Sequence, residues 1–228
     1  MSDDAEKGGQ STDVDLTLNQ RKMIEEHLQG RDIHSTLVLN AMQRVQRHTF
    51  IPHEMTPDAY ADFPLPIGYG QTISQPYIVA LMTQLALGEF SPSPKRVLDI
   101  GTGSGYQAAV LSEVAKEVYS MEIIPTLADS ARERLKKLGY NNITIRCGDG
   151  HQGWEENAPF DCIIVAAAPN EVPAALKDQL APGGRLVIPV GKHYQELLRI
   201  THTETGQFAT EMITPVRFVP MTGKPLEK

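Results

Sequence analysis

From residue 95 onward, short apolar runs alternate with stretches in which apolar positions recur every three or four residues. That is the pattern of buried parallel strands joined by covering helices. It predicts strands over 96–100, 117–122, 143–147, 162–166 and 185–190, with helices over 106–115, 126–138 and 172–180. Past Gly191 the pattern is more β-like, and late strands are expected over 196–202 and 209–219, one or both antiparallel. Ahead of this core, Leu18, Met23, Ile24 and Leu28 mark a helix ending near Gly30. Ser35 is placed to cap a second helix carrying Leu37, Val38, Ala41, Met42 and Val45. A third apolar helix is predicted over 78–87, before a Ser/Pro break at 91–94. Residues 50–77 hold five prolines and two glycines, and no long regular element is expected there. A loop of that length is uncommon unless it binds something. The fold class expected is α/β: a doubly wound, mostly parallel sheet with late antiparallel strands and a short N-terminal helical extension.

Composition narrows this picture. A chain of 228 residues suits one α/β domain. Residues 1–15 are polar and acidic and are expected to be a disordered tail. Residues 16–94 (helices and Pro-rich loop) and the core 95–228 are expected to form one structural domain. The formal net charge of -7 argues against a nucleic-acid partner, because neutralising phosphates requires clustered Lys and Arg. The N-terminus shows no secretory h-region and no apolar stretch approaches a membrane span, so the cytoplasm is the expected compartment, without a membrane partner; a monomer is expected as well, though no residue pattern speaks to it. The two cysteines, Cys147 and Cys162, adjoin strand-like runs and are expected to be buried. The histidines show no metal-ligand spacing, and no metal is expected.

The strongest local signal is VLDIGTGSGY, residues 97–106: a strand, a glycine turn at Gly101, Gly103 and Gly105, then a helix. Such a turn lets backbone approach a ligand and presents unpaired N–H groups at the helix start. An ordinary strand-to-helix turn would look similar. Glu122 sharpens the reading, because it ends the next strand about 20 residues on, where a carboxylate accepts hydrogen bonds from ribose hydroxyls. A dinucleotide fingerprint places its third glycine five residues after the first; here Tyr106 holds that position. The Gly-x-Gly-x-Gly form resembles the first motif of Rossmann-like methyltransferases, whose ligand, S-adenosylmethionine, has no pyrophosphate. In that resemblance Asp99 helps hold the ammonium end of the methionine moiety. In the segment after the third strand, Asp149 could accept the adenine amine and Gly150 let the ring lie close, although Gly-Asp-Gly is equally a turn. Trp154 reads as a core aromatic, and Arg132, Arg134, Lys136 and Lys137 as the solvated face of a helix.

Residues 62–76, DFPLPIGYGQTISQP, then resemble the signature of the protein-L-isoaspartate O-methyltransferase family. RHTFIP at 47–52, the AAAP run, PGGRLVIPVG and the terminal VRFVPMTG follow suit, from about Leu18 to Gly223. The resemblance implies methyl transfer from S-adenosylmethionine, leaving S-adenosylhomocysteine, to the free α-carboxylate of L-isoaspartyl and also D-aspartyl residues. The partners it implies are age-damaged proteins and peptides, whose methyl ester closes to a succinimide on the way back to normal linkage. It assigns Ser74 to the acceptor carboxylate as the catalytic residue. Gln71, Thr72, Ile73 and Ser74 are to fold over the cofactor, with the Thr222 hydroxyl near it, while Val219, Pro220 and Met221 form the opposite wall with main-chain contacts to the isopeptide. Ser74 also reads as an N-cap of the following helix. An ionised carboxylate needs no general base, so the lack of an obvious catalytic His or Glu is expected. Methylation of RNA or a small molecule, or binding of S-adenosylmethionine without turnover, are the rival functions.

Overall fold

The computed structural model describes residues 15–88 and 93–223. The expected tail, Asp15 apart, and the first half of the Ser/Pro break lie outside the described residues. The N-terminal helix, α1, is α-helical over 15–22 and continues as π-helical turns at Met23–Gln29. Helix α2 is Thr36–Arg44, where the Ser35 side chain accepts from the Val38 N–H as the sequence predicts. Two 3-10 segments, Arg47–Phe50 and His53–Asp58, lead to a hairpin of β1 (Leu65–Gly68) and β2 (Gln71–Ile73). Helix α3, Pro76–Leu87, follows.

The core then alternates β3 (Arg96–Ile100), α4 (Tyr106–Ser112), β4 (Glu117–Glu122), α5 (Pro125–Lys137), β5 (Ile143–Cys147), β6 (Phe160–Val165), α6 (Ala174–Asp178) and β7 (Leu180–Val190). It ends in β8 (Gln195–His202) and β9 (Phe208–Val216). The sheet order is β5-β4-β3-β6-β7-β8-β9, parallel through β7, with both late strands antiparallel. This is the expected doubly wound architecture.

Alternation along the strands separates two apolar layers. Val97, Cys162, Ile164 and Val187 face a cluster shared with α1, α2, α3 and α4. Leu98, Ile163, Val165 and Leu186 face a second cluster, closed by Trp154 and by Leu176 of α6. Trp154 is thus a core aromatic, edge-on to Tyr119.

Two segments differ from the sequence reading. The long loop contains the β1–β2 hairpin, in which buried Leu65 and Ile73 face each other across the pair. Strands of four and three residues with an internal proline leave no periodic signature, so the sequence reads them as loop. The Pro-Gly-Gly that precedes the strand expected over 185–190 lies inside β7. Its register slips there, Phe160 opposing Leu180 and Cys162 opposing Arg185. The bulge requires glycine: a Cβ on Gly184 would fall 2.7 Å from the Ala181 carbonyl oxygen.

Candidate active site

Strand order reverses between β3 and β6, so the connections from their C-terminal ends diverge and leave a crevice. The glycine turn occupies it. Gly101 and Thr102 both donate to the Met121 carbonyl (2.8 and 3.1 Å), binding the turn to the end of β4. Glu122, buried at that end, accepts from the Gly103 N–H at 2.8 Å and the Ile124 N–H at 3.0 Å, so its carboxylate organises the loop as well as facing the cleft. Gly150 approaches from the far side, and only a residue without a Cβ fits: that atom would lie 2.3 Å from Ile100 Cγ2 and 3.0 Å from Met221 Cε.

The β1–β2 hairpin forms the roof. A Cβ on Gly103 would lie 3.2 Å from Ile67 Cδ1, which shows how closely the hairpin lies over the glycine loop. Gln71, Thr72, Ile73 and Ser74 line the cleft beneath it. The opposite wall is Val219, Pro220, Met221 and Thr222. That strap is pinned by Ala168, whose N–H donates to the Val219 carbonyl and whose carbonyl accepts from the Met221 N–H, each at 2.8 Å. Gln195 holds both main-chain groups of Phe218, at 2.6 and 3.1 Å. Two of the strap's main-chain groups are therefore committed to the protein, whereas the Val219 N–H has no partner among the described residues.

Beside the cleft lies a second, larger groove of about 830 Å³. Thr72, Ser74, Ala166, Val219 and Pro220 line both, so Ser74 stands where the two meet. Its hydroxyl has no hydrogen-bond partner among the described residues. It does not cap α3: the N-cap position is Gln75, and the carboxylate of Asp62 accepts from the Tyr77 N–H at 3.2 Å and from Gln75 Nε2 at 2.7 Å. The cap is supplied from 15 residues upstream, a contact the sequence does not announce.

Three expected cofactor residues do not line the cleft. Asp99 is fully buried behind the turn, where its carboxyl accepts from the Ser120 hydroxyl at 2.7 Å, and that hydroxyl is 2.6 Å from Thr102 Oγ1. Burial pushes its pKa up to about 7, opposed by the Ser120 hydrogen bond and reinforced by the charge of Glu122. Gly105 starts α4 facing Leu135 and Ala131, so it serves helix packing. Asp149 caps the 3-10 turn Gly150–Gln152, accepting from the His151 N–H at 3.0 Å with its carboxylate 2.9 Å from His151 Nδ1; Gly148 and Gly150 line the cleft instead. Two lesser expectations also change. Cys147 is exposed on the edge strand β5, and only Cys162 is buried. Arg134 leaves the solvated face to donate to the Ser104 carbonyl at 2.8 Å, bracing the glycine loop. The sequence reading also passed over Arg47 and Asp62, which hold the acceptor loop by bonds distant in sequence.

The charge of the cleft indicates what it suits. No Lys, Arg or His lines it, and Glu122 is its one ionisable carboxylate, among the described residues. A pyrophosphate would find no counter-charge there, whereas a cationic nucleoside such as S-adenosylmethionine finds a carboxylate, a glycine floor and the apolar side chains of Ile100, Met121 and Ile123. The residues present fit that cofactor. Among the described residues no group of His, Cys, Asp and Glu is placed to hold a metal ion, and no helix is long and apolar enough to cross a membrane.

Comparison with known proteins agrees with this geometry. The family model for protein-L-isoaspartate(D-aspartate) O-methyltransferase matches residues 18–226. A protein-L-isoaspartate O-methyltransferase of Picosynechococcus is 51% identical over 211 residues, 92% of this chain and 93% of that one. Protein-L-isoaspartate O-methyltransferase 2 of Syntrophobacter fumaroxidans is 54% identical over 189 residues, 82% of this chain and 75% of its own. Among solved structures, a protein-L-isoaspartate O-methyltransferase superposes with a TM-score of 0.79 at 28% identity, covering 90% of this chain and 67% of that one. A Plasmodium falciparum protein assigned to the same activity, solved with S-adenosyl-L-homocysteine, superposes with a TM-score of 0.72 at 29% identity, covering 88% and 97%. The chain belongs to the protein-L-isoaspartate(D-aspartate) O-methyltransferase family.

Proposed function

We infer that this protein is a repair methyltransferase, moving a methyl group from S-adenosylmethionine to the free α-carboxylate of L-isoaspartyl residues, and of D-aspartyl residues, in damaged proteins and peptides. The observation that carries the reading is the position of Ser74, unbonded through its hydroxyl and shared by a cleft suited to a cationic nucleoside and a groove open to a peptide. When bound, S-adenosylmethionine supplies a methyl group on a positively charged sulfur.

The residues of the chain then bind and orient. Glu122 takes the ribose hydroxyls with the lone pairs left by its two backbone bonds, while Gly101, Gly103 and Gly150 allow close approach. Asp99 acts from behind the turn, through Ser120 and Thr102, rather than by touching the ligand. The Ser74 hydroxyl donates to one oxygen of the acceptor carboxylate and leaves the other to attack. The Val219 N–H addresses the displaced backbone of the isopeptide. No proton has to be removed from an acceptor already ionised at neutral pH, so the work of the site is alignment, and in-line placement of reacting atoms is worth several orders of magnitude in rate. The roof formed by the hairpin limits water around two reacting ions of opposite charge, whose charge disperses as they react. A reducing cytoplasm and a monomeric enzyme complete the proposal; the exposed Cys147 thiol suits such a compartment.

The test pairs an isoaspartyl peptide with its normal aspartyl twin in the presence of labelled cofactor. The expected result is labelling of the first and little or none of the second, whose β-carboxylate hangs from a backbone one methylene out of register. Equal labelling of both would refute the repair assignment, and labelling of neither would favour a different acceptor.

A further inference from the structure

Resting on the reading that Ser74 addresses the acceptor, we propose that Arg47 is a positioning residue for methyl transfer, fixing the main chain of Ser74 so that its hydroxyl faces the acceptor. Arg47 is fully buried, yet no carboxylate pairs with it among the described residues. Its guanidinium donates instead to three carbonyls of the acceptor loop: Ala59 through Nη1, and Phe63 (3.2 Å) and Ser74 (3.1 Å) through Nη2. Nε has no partner. Burial pulls its pKa below the ordinary arginine value, opposed by Tyr106, Asp62 and Tyr60.

A buried, unpaired charge is costly, and a loop could be held by apolar packing at lower cost. What the guanidinium adds is geometry. Its planar fork reaches three carbonyls of an irregular chain at once, which an ammonium cannot span. Ser74 is thereby held from two sides, its own carbonyl by Arg47 and, just after it, the Gln75 side chain and the Tyr77 N–H by Asp62. The side-chain rotation of the serine is the freedom that remains. Arg47 lies outside the linings of both the cleft and the groove, so it acts through Ser74 and not on either substrate.

A double-mutant cycle on the full chain tests this. Arg47→Lys, assayed at saturating cofactor, is expected to lower kcat on an isoaspartyl peptide by about tenfold or more, as loss of alignment does. The affinity for S-adenosylhomocysteine should stay within about twofold. In a Ser74→Ala background the same substitution should change kcat by no more than about twofold, because a residue that acts through the serine has little left to act on. An equal factor in both backgrounds, full activity of Arg47→Lys, or a loss matched by weaker cofactor binding would overturn the proposal. Arg47→Met fills the volume without the hydrogen bonds and is run in parallel, with melting followed in saturating S-adenosylhomocysteine, which stabilises the folded state. If neither variant folds under those conditions, Arg47 is a folding residue and the proposal fails. A fully active Ser74→Ala would remove the serine reading and this one together, whereas a parent enzyme inert on isoaspartyl peptides would instead remove the repair reading.

Discussion

The two halves of the site bury ionisable side chains of opposite kind. Behind the glycine turn, on the cofactor side, lies a fully buried acid, Asp99; beneath the acceptor loop lies a fully buried base, Arg47. Burial pushes each pKa towards neutrality, up for the acid and down for the base. The acid belongs to a regular strand and bonds within the sheet, to Ser120 of the adjacent β4. The base serves a segment with little regular structure and bonds to carbonyls 12, 16 and 27 residues away. The cofactor half is therefore set by regular strand and turn geometry braced by Glu122 and Arg134, while the acceptor half, with little regular structure, depends on side-chain bonds throughout. Cofactor binding should accordingly survive damage to the bonds of the acceptor half, and turnover should not.

Substitutions can break this division. The largest effect is expected from Ser74→Ala, which should lower kcat on an isoaspartyl peptide by about 100-fold, the scale on which misplacement of reacting groups acts. Calorimetry should find its cofactor affinity unchanged; an active variant would deny the serine its role. Next comes Glu122→Ala, which removes ribose contacts and frees Gly103 and Ile124. A loss of about 1.5–3 kcal/mol in cofactor binding is expected, the range for hydrogen bonds to charged groups. Unaltered affinity with the fold intact would contradict the ribose assignment.

Asp99→Asn probes stability against pH. A carboxyl whose folded pKa is raised, from 3.8 to about 7, holds its proton more tightly when folded, so native stability falls as pH rises between those values. The asparagine variant lacks this titration. Relative to the parent it should gain stability from pH 4 to 7, on the order of 1 kcal/mol or more, and then level off. Denaturant melts at several pH values will show this, and a constant difference would mean that Asp99 is ionised throughout. The smallest effect belongs to Asp62→Ala, which uncaps α3 and should cost about 1 kcal/mol of stability, typical of a lost cap. Its KM for peptide should rise while cofactor affinity holds; a change confined to the cofactor would reverse the division proposed above.

Most of the cofactor half was legible in the sequence because each signal is local. β3, β4 and β5 have the predicted bounds, since short runs carrying three apolar residues each, flanked by helical periods, leave little ambiguity. The Gly-x-Gly-x-Gly spacing and Glu122 at the end of the next strand marked the crevice for the same reason. By contrast the hairpin Leu65–Gly68 with Gln71–Ile73 was hidden by its shortness and its proline, and the bulge in β7 by a Pro-Gly-Gly that reads as a turn.

What the sequence by itself determined is the doubly wound sheet, the place of its nucleoside crevice and, through the resemblance of residues 62–76, the family. Only the tertiary structure decided which residues line the cleft. It left Asp99 and Asp149 out of the cleft lining, gave the cap of α3 to Asp62 instead of Ser74, and brought Arg47 beneath three carbonyls. The physical reason is range. Strand and helix periods are repeated along the chain and can be read from it, whereas a single hydrogen bond between residues 15 or 27 positions apart leaves no period and exists only once the chain has folded.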